Sequence, residues 1–424
     1  MKVKRIISLM LAFSMVAGLT ACGGGAGGKA KKEEGKVSIT VFSEWVGAHP
    51  YAKYFAERVE SFEEAHPEID VNVEEIAGST TANMDAKLKV QVSSGELPDV
   101  FYTNDQSIID LAKKSNLLYD FKEKLDADAE LKDELDMEDI ASWNEGSDQV
   151  YGICSHKDFF GFFYNKEILK AAGYEKFPES WDELYKLCEK LKEDGIAAMS
   201  LETKTAWYSS LTLLAALASG SEEGQEMAKT VGLTDYNTPE FIEAASQLQK
   251  MFMEYSTTDA PGSDISVALN NFTSDKTAIV LDGAWRIAEL TEAMGDKVGE
   301  AYLPGKGAVS YPGYAWFSGS KDEKTAAASY EFIKWFNNKE DQAIRLEQLG
   351  LIPASANIDY ESLELSPLMM EILEMKDDVN YTVSSCWRVY PAAVTAIIPQ
   401  ELAALGTGQS TPEQFAENLT KASN

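Results

Sequence analysis

One rhythm runs through residues 36–102. Lys36–Phe42 alternates polar and apolar positions and predicts a strand, and Tyr51, Phe55, Val59 and Phe62 then recur at helical spacing until His66-Pro67 stops the helix. Ile69, Val71 and Val73 alternate again. Met84, Leu88 and Val92 mark a second helix closed by Gly95, and after Pro98 the segment Asp99–Tyr102 predicts a third strand. Strand, helix, strand, helix at these lengths predicts an α/β chain with a mostly parallel sheet and helices on both faces. Such sheets collect ligands at the carboxyl ends of their strands. The loops there hold Glu44, Trp45, Asn104 and Asp105.

The pattern continues beyond the first sheet. Gln149–Ile153 and Phe159–Lys166 predict more strand, and a helix runs from Lys166 to Ala172 with Gly173 in the C′ position. Ser180 and Glu183 form a capping box for a helix that presents Leu184, Leu187 and Leu191 before Gly195. Thr411 and Gln414, with Pro412 at the first helical position, open a last helix by the same device.

Residues 1–35 follow another rule. Lys2, Lys4 and Arg5 precede an apolar run from Ile6 to Leu19, too short to span a bilayer comfortably, and small residues follow. This predicts a signal peptide over residues 1–21. Its Leu19-Thr20-Ala21-Cys22 end is similar to a bacterial lipobox, which implies cleavage before Cys22 and lipid on that thiol. An ordinary signal peptide that contains a cysteine is the alternative. Residues 22–35, rich in glycine, make a flexible tether with a reach of roughly 20 Å. After Ala21 no apolar stretch approaches the length of a membrane span, so lipid would be the only anchor.

Charge and composition narrow the function. Lysine and arginine number 38 against 69 acidic residues, a formal net charge of −31, which makes nucleic acid and anionic lipid surfaces poor partners. A 424-residue chain with 45% hydrophobic content fills two cores rather than one. With Cys22 acylated, Cys154, Cys188 and Cys386 allow one disulfide at most. His49, His66 and His156 are too scattered for a metal cluster, and neither Gly-x-Ser-x-Gly nor His-Glu-x-x-His occurs. Gly299–Lys306 lacks the spacing of a phosphate loop. Asp126, Asp128 and Glu130 begin like a calcium loop, but Leu131 stands where glycine is required. No cofactor and no metal are expected. A secreted glycoside hydrolase needs two carboxylates flanking a bond, and no local signature supports one.

Several motifs in order carry a resemblance. Phe62–Pro67, Gly95–Val100, Tyr164-Asn-Lys166, Ala172-Gly173, Ser180–Leu184 and Leu191–Gly195 are followed by Phe272–Leu281 with Asp282-Gly-Ala-Trp-Arg286, by Ala326–Asn337 with Glu340–Gln342, and by Gly350-Leu-Ile-Pro353. Over about residues 36–420 the chain resembles the family 1 extracellular solute-binding proteins of ABC importers, the family of maltose-binding protein. The resemblance implies a two-lobe periplasmic-binding-protein-like fold of type II, each lobe a mostly parallel sheet flanked by helices. Lobe one would take residues 36–152 and 316–350, and lobe two 153–315 and 351–424. The chain would cross near Tyr151-Gly152, Trp316-Phe317 and Gly350–Pro353, with Gly152 and Gly350 free to absorb rotation. The implied protein is a monomeric, lipid-anchored receptor on the outer face of the cell membrane. It captures a carbohydrate, an oligosaccharide by the number of tryptophans, and hands it to the transmembrane subunits of an ABC permease. A polyamine or other small-solute receptor is the alternative.

A sugar has an apolar face of C–H groups and a rim of hydroxyls, so it calls for flat rings against the first and carboxylates, amides or guanidinium groups for the second. Trp45, Trp207, Trp285, Trp316 and Trp387 fall near strand ends or loops, whereas Trp181 and Trp335 lie in amphipathic helices and belong to the core. The resemblance places cleft tryptophans at Trp285 and Trp387. Glu44, Asn104, Asp105, Glu202, Asp282, Arg286 and Arg388 are the polar candidates, and Phe159 and Tyr314 are further wall candidates. Burial in a lobe core is the competing use of each aromatic ring.

Overall fold

The computed structural model describes residues 35–424 except 77–80, 145–146, 206–208, 231, 356, 377 and 384–389, and it leaves the side chains of 82, 209, 311 and 312 undescribed. Among the described residues, twelve strands form two sheets. The first contains β1 (Val37–Phe42), β2 (Ile69–Val73), β3 (Val100–Thr103), β4 (Gly152–Cys154) and β10 (Ala315–Phe317), ordered β2-β1-β3-β10-β4. The second is built on β5 (His156–Asn165), with β6 (Ala197–Met199), β7 (Thr277–Gly283), β8 (Val298–Ala301), β9 (Gly307–Pro312), β11 (Ile352–Pro353) and β12 (Tyr381–Val383). In each sheet one strand runs against the rest. In the first it is β10, antiparallel to both neighbours, and in the second it is β5, antiparallel to β7, β8, β9 and β11.

The predicted elements of residues 36–103 form as expected. β1 pairs in parallel with β2 and β3, and the helices Ala52–Ala65 and Thr81–Ser94 connect them. Tyr54, Phe55, Val59 and Phe62 form the buried stripe of the first helix. One core lies around the first sheet and includes Trp316, fully buried between Phe55, Tyr102 and Phe332, so this tryptophan is core and not a ligand wall. Two further cores line the second sheet. Trp181 packs at the edge of one of these and Trp335 at the edge of the first, as their helical spacing predicts.

Three chain passages between the sheets run side by side. β4 ends at Cys154 and β5 begins at His156, so Ser155 is the first passage, and its amide donates to Tyr314 O of the second passage. Gly313 donates to His156 O, and Ile352 and Pro353 of the third passage pair with Lys157 and His156. Ile153 and Cys154 thus lie in the first sheet and Ala315 beside them, each a residue or two from the boundaries read in the sequence. Gly152 and Gly350 have static duties. A Cβ on Gly152 would stand 2.4 Å from the Phe317 ring, and Gly350, at φ 71°, is the left-handed cap of the helix Lys339–Leu349.

Ser155 is held from one side by a buried cation. Arg345 donates to the Ser155 carbonyl at 3.1 Å, to its hydroxyl, and to Phe336 O at 2.8 Å. Asp341 answers that charge at 3.2 Å and also takes Arg58 at 2.6 Å and the hydroxyl of Tyr54 at 2.8 Å. The two described cysteines, Cys154 and Cys188, are buried free thiols.

Candidate functional site

A cavity of about 460 Å³ opens between the sheets, against the chain passages. Glu44 and Trp45 follow β1, Tyr51 stands at the N-cap of the first helix, and Tyr102 and Asn104 lie at the end of β3. The second sheet contributes His156 and Asp158 from the start of β5. Trp285 and Arg286 come from the short turn Ala284–Arg286 that follows β7, and Glu289 from the next helix. Tyr314, Gln348, Leu349 and Leu351 close the side at the passages.

Four of the aromatic groups form one connected set. Tyr102 stacks face to face on Tyr314 at 4.7 Å, and Trp45 meets Tyr102 at 4.9 Å and Tyr51 at 5.5 Å, both edge-on. Trp285 meets Phe160 edge-on at 4.8 Å and packs against the cores of both sheets. Its position requires glycine two residues earlier, because a Cβ on Gly283 would lie 2.3 Å from the indole.

Polar groups are set among these rings. Glu44 is 5% exposed and accepts from the Thr81 hydroxyl. Burial pushes its carboxyl above the usual range, hydrogen bonds from Thr81 and Tyr314 pull it back, and the charge of Asp158 pushes it up again. The Tyr102 hydroxyl and His156 Nδ1 are 3.1 Å apart, and His156 Nε2 lies 3.5 Å from Asp158. Arg286 is steered by Asp282 at 3.2 Å and Glu289 at 2.8 Å. Burial lowers His49 to about 4, so this lining ring is neutral at physiological pH, and raises Tyr51 to about 12.

Of the residues proposed from sequence, Glu44, Trp45, Asn104, Trp285, Arg286 and Tyr314 line the cavity. Asp282 does not. It is fully buried and positions Arg286 from behind. Asp105 is the N-cap of the helix Gln106–Lys114, accepting from Ser107 N, and pairs with Lys89 at 2.9 Å, so the strand-end carboxylate serves a helix and its neighbour Asn104 faces the cavity. Phe159 is core. Strand alternation sends Asp158 toward the cavity and Phe159 to the opposite face, among Ile352, Leu346 and Phe163. Glu202 is buried, accepts from Thr205 N and is absent from the cavity lining. Trp207, Trp387 and Arg388 lie outside the described residues. Tyr51, Tyr102, His156, Asp158 and Glu289 were not legible as site residues. The period-2 phase of β5 was the available signal for His156 and Asp158.

This chain belongs to the bacterial extracellular solute-binding proteins, whose family model matches residues 47–343. Membership places it outside the cytoplasm. Among curated relatives, the multiple sugar-binding protein of Streptococcus mutans is 24% identical over 303 residues, a segment covering 68% of this chain and 66% of that relative. Among solved structures, a chitin oligosaccharide binding protein superposes with TM-score 0.75 at 23% identity, covering 92% of this chain and 98% of the other. A Streptococcus pneumoniae solute-binding protein in complex with the blood group A-trisaccharide superposes with TM-score 0.76 at 20% identity over 91% and 99%. These likenesses establish the two-lobe fold.

Proposed function

We propose that the protein is the carbohydrate receptor of an ABC importer, taking an oligosaccharide into the cavity between the sheets and delivering it to a membrane permease. The observation that carries this reading is the composition of the cavity wall. Rings of Trp45, Tyr102, Tyr314 and Trp285 stand beside carboxyl, amide and guanidinium groups, and both sheets contribute. A pyranose presents that same combination of apolar face and polar rim. Relatives named for sugars point the same way.

A thermal-shift screen of mono- and oligosaccharides, polyamines and metal ions tests it. A cognate sugar at 100 times its dissociation constant adds about 2.7 kcal/mol to stability. Stabilisation by polyamines alone would replace the carbohydrate reading with a polyamine receptor. Lipid on Cys22 is proposed as the anchor, since Leu19-Thr20-Ala21-Cys22 is similar to a lipobox and a glycine-rich stretch follows it. Cys22→Ala should move the protein from the detergent phase to the aqueous phase, and identical aqueous partitioning of wild type and variant rules the anchor out.

A further inference from the structure

Two buried carboxyls of the cavity have no lysine or arginine partner among the described residues. Asp158 is 5% exposed and lines the space, and the nearest charged or chargeable group recorded at its carboxylate is His156 Nε2 at 3.5 Å, longer than a good hydrogen bond. Glu44, equally buried, accepts from a neutral hydroxyl, and among the described residues neither carboxyl has a lysine or arginine at ion-pair distance. Arg286, the lysine-or-arginine cation among the described lining residues, is already engaged by Asp282 and Glu289. The two carboxyls share one neighbourhood. Both line the same cavity, Glu44 feels the charge of Asp158, and the hydroxyls of Tyr51 and Tyr102, pushed up first by burial, feel both carboxyls beside the opposing charges of Arg286 at Tyr51 and Arg345 at Tyr102.

Ionised carboxylates buried without a counter-charge are costly. Neutral sugar hydroxyls would satisfy their lone pairs and leave the charge in place, whereas an ammonium supplies donors and charge together. The half-buried rings of Tyr51 and Tyr314 suit both a pyranose face and a cation. We infer that the ligand of this cleft is an amino sugar, its protonated amine held by Glu44 and Asp158 and its ring laid against the neighbouring aromatics. The inference rests on the carbohydrate reading above and narrows it. A linear polyamine fits less well, because it needs acids spaced along its length, and here the third lining acid, Glu289, is taken by Arg286.

Calorimetry on the full-length protein in detergent at neutral pH, with glucosamine trimer, N-acetylglucosamine trimer, cellotriose and spermidine as probes, tests this. Glucosamine trimer should bind about tenfold or more tighter than either neutral trimer, as a charge-assisted contact implies. Asp158→Asn and Glu44→Gln should each erase most of that preference, while thermal melting of the ligand-free variants shows that they still fold. Should a variant unfold, added salt supplies the second measurement: it weakens the glucosamine trimer and leaves the neutral trimers unchanged. Equal or tighter binding of the neutral trimers overturns the amino-sugar inference and leaves the carbohydrate receptor standing. Binding of spermidine without any sugar overturns both.

Discussion

At the scale of single residues, ring position depends on neighbours outside the cavity wall. Trp285 reaches the cavity because Gly283 has no Cβ and because Phe160 offers its ring edge. Trp285→Ala should weaken sugar binding by about 2–4 kcal/mol, the range of interface hot spots, and leave the far-ultraviolet circular dichroism of the protein unchanged. Gly283→Ala should weaken binding too, by displacing the indole. Unchanged affinity in calorimetry for both would assign Trp285 to structure alone. This residue was legible from its place after a strand, and Asp158 was not, since a carboxylate within an aromatic run carries no local mark of the side it faces.

At the scale of elements, caps and strands followed their sequence signals, with instructive departures. Thr411 and Gln414 exchange both hydrogen bonds of a capping box, whereas Glu183 reaches past Ser180 to the amide of Glu179 and completes half of one. Asp105 went to a helix N-terminus because an aspartate before Gln106-Ser107 has free backbone donors within reach. The helix Lys339–Leu349 carries the residue that ties the first passage down. Arg345→Ala would leave Asp341 buried beside a lost partner and free two carbonyls, so it should cost about 3–5 kcal/mol in urea unfolding. A loss under about 1 kcal/mol would mean that Arg58 and Tyr54 suffice to hold Asp341.

At the scale of the molecule, the cavity takes walls from both sheets while three neighbouring passages join them. A ligand that touches both walls favours the state in which they are closest. Solution scattering should therefore show a smaller radius of gyration with saturating sugar, and chromatography should return that sugar intact. Equal radii with and without ligand would remove lobe closure from the proposal. Steady release of shortened sugar would point to hydrolysis instead.

Periodicity by itself determined the strands and helices of residues 36–103, and cap residues marked the starts of the helices Trp181–Glu193 and Pro412–Ser423, because those depend on spacing within a few residues. Ordered motifs determined the family. Tertiary structure decided which strand runs against its sheet, that Trp316 is core while Trp285 lines a cavity, and that Asp105 caps a helix while Asn104 and Asp158 face the cavity. Strand direction and the burial of Trp316 depend on contacts between residues 100 or more apart in the chain, such as Ala315 with Thr103 and Trp316 with Phe55, and no local spacing encodes them.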